Sequence, residues 1–228
     1  MGMAKWEDAV GAIGLILLGV GHYMGLFIAP KEAMMGDVGR ILYVHVPVAW
    51  ISMLSFLVAF VAALGYFFRG TTTWDALMES AVEVGVVLTS LLLALGSLWA
   101  RPTWGVWWDW DPRLTTAAVM LLAFLGVTAL RRLVDGPEQR ATWSAVATVV
   151  AFVNVPIVYF SVKWWRSLHQ TQSSPKTVDP GMVTSLRVCA FAVLFIAIFF
   201  IARRWRIAKT RLENELAPPE ALLDSEEA

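Results

Sequence analysis

Apolar residues in this chain run together in long blocks; they do not alternate with polar ones over the stretches of about ten residues that mark strands of a membrane barrel. Six blocks stand out, at about residues 9–28, 41–68, 78–99, 115–134, 142–162 and 181–202, each at least 20 residues long and depleted of charge. At a rise of about 1.5 Å per residue such a block crosses a hydrocarbon core of roughly 30 Å as a helix. The pattern predicts an all-α integral membrane protein with six transmembrane helices. Residues 1–203 are expected to form that membrane domain, and 204–228 a short cytoplasmic tail that turns acidic from Leu212 onward. The first block ends in Phe27-Ile28-Ala29-Pro30, but it is longer than the roughly 7 to 15 apolar residues of a secretory signal. It is expected to stay as an anchor.

Composition sharpens this picture. Hydrophobic residues make up 58 % of the 228, charged ones only 16 %, and the mean hydropathy is +0.63, whereas soluble domains carry roughly 25 % charged residues. Lys+Arg and Asp+Glu each total 18, so there is no net field to attract nucleic acid. The one cysteine, Cys189, lies in an apolar block. It gives no disulfide framework and no thiolate metal cluster within the chain.

Orientation follows from the basic residues. With the N-terminus inside, inner segments hold Lys5, Arg69, Arg131, Arg132, Arg140 and the run Arg203, Arg204, Arg206, Lys209, Arg211. Outer segments hold Lys31, Arg40, Arg101, Arg113, Lys163, Arg166, Lys176 and Arg187. The counts differ little, but the dense run directly after the last block reads as cytoplasmic. Both termini are then expected inside, and the segment between blocks three and four outside.

That outer segment, about residues 99–115, reads Trp99-Ala-Arg101-Pro-Thr-Trp104-Gly-Val-Trp107-Trp108-Asp109-Trp110-Asp111-Pro-Arg113-Leu-Thr115. An interfacial aromatic belt would account for one or two tryptophans per helix end. Five within twelve residues, interleaved with Gly105, Asp111 and Arg113, suggest a flat aromatic surface for a large planar ligand. Indole faces supply area and stack on conjugated rings, and Arg101 or Arg113 would hold carboxylates at the rim of such a ligand. Haem has this chemistry. His45, in Tyr43-Val-His45-Val-Pro47, and His169, in Trp164-Trp165-Arg166-Ser-Leu-His169-Gln170, fall on the same side of the membrane, and neutral imidazole is a standard axial ligand of haem iron. His22 is expected to be structural.

The run Trp104-Gly-Val-Trp107-Trp108-Asp109-Trp110-Asp111-Pro-Arg113-Leu-Thr115, with six blocks and flanking histidine segments, resembles the tryptophan-rich signature of the cytochrome c maturation protein C family, also called haem exporter protein C. The resemblance covers nearly the whole chain. It departs at Asp109, where the family usually places an uncharged residue, so no role for Asp109 carries over.

The resemblance implies a bacterial inner-membrane protein that holds haem b non-covalently and transiently at its periplasmic face and presents it to a periplasmic haem chaperone. It implies His45 and His169 as axial ligands, Arg40 and Arg113 as propionate partners, and Trp104, Trp107, Trp108, Trp110 and Asp111 as the haem-binding signature. It also implies a complex with an ATP-binding subunit and other small membrane subunits. The alternative is a membrane subunit of an ABC-type exporter that moves haem across the bilayer. The chain itself has no G-x-x-x-x-G-K-[ST] loop, no C-x-x-C-H and no H-E-x-x-H, so it is not expected to be an enzyme, and ATP hydrolysis belongs to another chain.

Two features inside the blocks carry expectations about packing. Glu79 and Glu83, one turn apart, are costly in a bilayer unless they reach the interface or a partner, and snorkelling or docking to another subunit is the expectation. Pro47 and Pro156 each lack a backbone donor and are expected to kink their helices, freeing the carbonyls of Tyr43 and Phe152.

Overall fold

The computed structural model describes residues 6–169 and 178–216. Lys5, Gln170, Lys176 and the acidic end of the tail, residues 217–228, lie outside the described residues. Among those described, the chain is helical apart from short connections and one isolated bridge between Glu32 and Gly36. Six helical spans are long and apolar enough to cross a membrane: Trp6–Ile28, Asp37–Arg69, Thr72–Trp104, Pro112–Leu133, Pro137–Trp164 and Pro180–Leu216. The six-span expectation is met, with each span somewhat longer than the apolar block inside it.

The elements are α1 (Trp6–Tyr23) continued by a π-helical turn (Met24–Ile28), a 3₁₀ turn (Asp37–Ile41) leading into α2 (Leu42–Arg69), α3 (Thr72–Trp104), α4 (Pro112–Leu133), α5 (Pro137–Phe152), α6 (Asn154–Trp164) and α7 (Pro180–Leu216). The antiparallel pair α2 and α3 forms the centre, with α7 and then α1 packed on one flank and α4, α5 and α6 on the other. Phe56 of α2 stacks on Phe124 of α4 with ring centroids 3.6 Å apart. It reaches that position because α3 has a glycine there: a Cβ on Gly85 would stand 2.4 Å from the Phe56 ring. On the other flank, a Cβ on Gly14 would meet the backbone nitrogen of Ile196 at 3.0 Å. Close backbone approach through small residues is how helices associate where lipid removes the hydrophobic drive.

The fifth span is interrupted where Pro156 leads one to expect it. Proline at 156 cannot bond the carbonyl of Phe152, and α5 ends at Phe152, with Val153 donating to Val150 at 3.2 Å in a turn before α6 begins. Asn154 then reaches across and donates to the carbonyl of Thr116 in α4 at 2.7 Å. Pro47 instead lies buried inside a helix that is continuous from Leu42 to Arg69.

The glutamates of α3 find their partners within the chain. Glu79 does not wait for a partner subunit: it accepts from Arg131 of α4 at 2.8 Å and from Arg211 of α7 at 2.7 Å. Asp75, one turn before it, holds the same Arg131 through two bonds of 2.6 and 3.1 Å, and Glu83 holds Arg204 through bonds of 2.6 and 2.9 Å. Buried charge is tolerated when paired and hydrogen-bonded. The partners come from two other helices, so spacing along α3 gave no sign of them. The pairs with Arg204 and Arg211 depend on a further finding, that α7 does not stop at the end of its apolar block. It continues to Leu216, with Leu212 buried beside Ala76 and Trp205 donating to the Thr73 carbonyl.

Candidate functional site

The opposite end of the bundle gathers the tryptophan-rich segment and two of the histidines. Helix α3 runs further than its apolar block, through Pro102 to Trp104, so Trp99, Ala100, Arg101 and Trp104 are helical and the connection proper is only residues 105–111. Gly105 ends the helix in the left-handed conformation, φ 81°, donating its N–H to the Arg101 carbonyl. The Arg101 guanidinium is turned back onto the carbonyl of Gly105. A residue with a Cβ pays for that conformation and glycine does not. Ser97 donates to the carbonyl of Trp107 at 2.7 Å, holding the loop down on α3.

Asp111 begins α4. One of its oxygens accepts the Arg113 N–H at 2.9 Å, an N-cap placed just before Pro112 at the first helical position. The same carboxylate accepts from the Ser167 hydroxyl at 3.1 Å and from the Leu168 N–H at 2.6 Å, and lies 3.3 Å from Nδ1 of His169, off the line of a full hydrogen bond. Only 4 % of Asp111 is exposed. Burial pushes its carboxyl up, but donors from Ser167, Leu168 and Arg113 outweigh that and hold it below the usual carboxylate range. Asp111 therefore joins the tryptophan loop to the segment after α6.

His169 and His45 line the same space although they come from different ends of the chain. Two adjoining cavities share His45, Gly96, Trp99 and His169 in their walls. One, of about 90 Å³, lies among α2, α3, α4 and α6 and is lined also by Trp50, Met53, Trp108, Arg113 and Met120. The other, of about 290 Å³, is lined also by Trp104, Leu168 and the α1–α2 connection at Glu32, Met34 and Met35. Each imidazole meets an indole of α3 edge-on: His45 against Trp99 at 5.3 Å and 76°, His169 against Trp104 at 5.0 Å and 72°. Nδ1 of both histidines and Nε1 of Trp99 are buried without a hydrogen-bond partner among the described residues. Burial and the Arg113 charge push the His169 pKa down to about 4 against the opposing pull of Asp111, so this imidazole is neutral at physiological pH and its ring is available as a ligand.

The other residues named from the sequence are placed as follows. Arg113 gives its backbone N–H to Asp111, and its side chain is on the cavity wall with no salt bridge among the described residues. Trp108 is also on that wall. Trp107 and Trp110 are 56 % and 78 % exposed and line neither cavity. Arg40 also lies away from both: it donates to the carbonyls of Gly25 and Ala29 and pairs with Asp37, bracing the α1–α2 connection. His22 bonds the Leu18 carbonyl through Nδ1 at 2.7 Å, a local structural role. Sequence reading missed Gly96 and Trp50 as wall residues and singled out Trp99 only as part of the loop. Helical spacing carried the missing signal, because Gly96 and Trp99 are three residues apart and share a face.

A scan against protein-family models matches residues 2–217 to CcmC, Heme exporter protein C. This chain belongs to the Heme exporter protein C family. Among curated relatives with that name, the protein of Bradyrhizobium diazoefficiens is 37 % identical over 211 residues, covering 90 % of this chain and 80 % of the relative. That of Haemophilus influenzae is 34 % identical over 89 % of this chain and 84 % of the relative. That of Escherichia coli K12 is 33 % identical over 84 % and 79 %. With six apolar spans, the family member described here is a multi-pass protein of the bacterial inner membrane, with a role in haem handling for cytochrome c biogenesis.

Proposed function

We propose that this chain holds haem b, non-covalently and transiently, at the loop end of its helix bundle and hands it to a periplasmic haem chaperone. The observation that carries this reading is the meeting of His45 and His169 in the walls of two adjoining cavities, one of which Arg113 also lines. The donor set fits the cargo. Two neutral imidazoles suit the iron's axial positions, an arginine suits a propionate, and Trp99, Trp104 and Trp108 supply indole surface for a conjugated ring. Buried polar atoms without partners are rare in folded proteins, and a ligand that completes them is one explanation.

In this reading His45 and His169 bind the iron, and Arg113 orients the ring by its rim. Asp111 serves through His169, the Ser167 hydroxyl and the Leu168 amide without itself facing the ligand. Trp107 and Trp110, exposed beyond the cavity, form the surface to which the chaperone comes. The loop end is periplasmic and both termini are cytoplasmic, in keeping with the run Arg203 to Arg211 at the opposite end. The ATP-binding subunit and other small membrane subunits act from outside this chain. Passage of haem through the bundle, the exporter alternative, has less support: the buried hydroxyls of Ser52, Ser55, Ser80 and Thr89 in α2 and α3 are spent on carbonyls of their own helices.

The test is absorption and resonance Raman spectroscopy of haem bound to the purified full chain and to equally expressed variants. The wild type is expected to be six-coordinate and low-spin. His45→Gly and His169→Gly are each expected to give mixed-spin haem or weaker retention, with the low-spin signal partly restored by added imidazole, whereas His22→Gly is expected to match the wild type. An unchanged low-spin spectrum in both single variants would show that other groups hold the iron.

A further inference from the structure

The two histidines are held differently. His169 has Asp111 beside Nδ1 and a segment fixed by hydrogen bonds, whereas Nδ1 of His45 is buried with no partner among the described residues. No hydrogen bond in the described structure sets the direction of the His45 ring, so its setting comes from packing. Two residues of α3, outside the tryptophan-rich loop, provide it. Trp99 stands edge-on to the ring at 5.3 Å. Gly96, one turn earlier on the same helix, lies under it: a Cβ built there would be 3.3 Å from Cε1 and 4.0 Å from Nδ1 of His45, and would meet nothing else within 4 Å.

That isolation separates Gly96 from the packing glycines. Gly85 and Gly14 make room for core side chains and backbone of neighbouring helices. At Gly96 the only atoms a methyl group would press on belong to the imidazole. Glycine in a helix interior is less favourable than alanine, and here the space it leaves is occupied by His45 alone. Gly96 and Trp99 are also two of the four residues common to both cavities, so the ring they set is the one that faces the shared space.

We infer that Gly96 and Trp99 are positioning residues that seat the His45 imidazole, keeping Nδ1 in the packed interior and turning Nε2 toward the cavity as the ligating nitrogen. This rests on the reading of the cavity as a haem site. It makes α3 the ruler for both ligands, since the same helix sets Trp104 against His169 five residues further on.

The test uses the full chain in lipid nanodiscs with haemin as the probe, comparing wild type, Gly96→Ala, Trp99→Phe and Trp99→Leu. Thermal melts of the haem-free proteins come first, and Gly96→Ala is expected to melt at or above the wild type, as a better helix former does. With haemin it is expected to bind about tenfold more weakly, as overpacking against one side chain does, and to shift toward a high-spin spectrum that added imidazole returns toward low-spin. Trp99→Leu is expected to show the same spectral shift, and Trp99→Phe, which keeps an aromatic edge against the imidazole, to retain more of the low-spin signal than Trp99→Leu. The Trp99 pair tests the seat from its other wall even where the alanine variant melts early. Wild-type binding and low-spin spectra in both Gly96→Ala and Trp99→Leu would overturn the seat while leaving the haem site standing. A wild type that takes up no haemin would overturn the haem reading itself.

Discussion

Asp75, Glu79 and Glu83 at one end of the bundle each meet an arginine, whereas His45 and Trp99 at the other keep buried polar atoms without hydrogen-bond partners among the described residues. The two ends share α3 and α4 but differ in what those helices gather. Where charges are mutually satisfied, they fasten α3, α4 and the extension of α7 into one frame. Where polar groups are left over beside a cavity, the fold carries a cost, and on the proposed function a ligand would recover it. A buried polar atom is thus read by what it lacks as well as by what it touches.

Breaking the paired end is expected to give the largest effect on the fold and the smallest on the cavity. Glu79→Ala removes the carboxylate shared by Arg131 and Arg211, and loss of one partner from a buried pair costs on the order of 3 kcal/mol. The haem-free protein is expected to melt well below wild type, while the haem spectrum of the folded fraction stays low-spin. A melting curve that matches wild type would show that the frame does not rest on this carboxylate.

The open end is expected to respond in the reverse sense. Arg113→Leu leaves a haem propionate without its partner and is expected to weaken haem retention roughly tenfold or more, the weight of one charge-assisted hydrogen bond, with little change in haem-free melting. Arg113→Lys keeps the charge but not the planar fork and is expected to fall between leucine and wild type. Equal retention in the two variants, measured by haem transfer to apomyoglobin, would mean that Arg113 serves the loop and not the ligand.

Trp107→Ala and Trp110→Ala sharpen the comparison within the open end. Both side chains are exposed, and substitution there is expected to move stability by no more than about 0.5 kcal/mol and to leave the low-spin spectrum in place. The readout expected to move is the rate at which haem passes to the periplasmic chaperone. A loss of bound haem in either variant equal to that in Trp104→Ala would place these indoles at the ring and not at the partner.

The spans were legible because hydropathy over 20 residues is a property of each segment alone, and the tryptophan-rich segment because its density is far above what an interface uses. His45 and His169 could be brought together on paper because six crossings put them on one side. What the sequence could not reveal was pairing between distant segments. Nothing near Glu79 announces Arg131 or Arg211, and nothing near Asp111 announces Ser167 and Leu168. The boundary of α3 was misjudged for a related reason. Pro102 and the surrounding indoles read as loop, yet a left-handed Gly105 lets the helix persist to Trp104, and that persistence sets Trp99 and Trp104 against the two histidines.

The Asp111 carboxylate binds the amide of Arg113 at the head of α4 and the amide of Leu168 beyond the end of α6. Two protons far apart along the chain therefore share one lock. In the language of local opening, a movement of that carboxylate uncovers both amides at once, so the two are expected to exchange their hydrogens at similar rates in a hydrogen-exchange measurement, as members of one cooperative unit. The tryptophan loop and the His169 segment are then expected to open together, the event that lets water reach Leu168 also loosening the first turn of α4, where Arg113 lines the cavity.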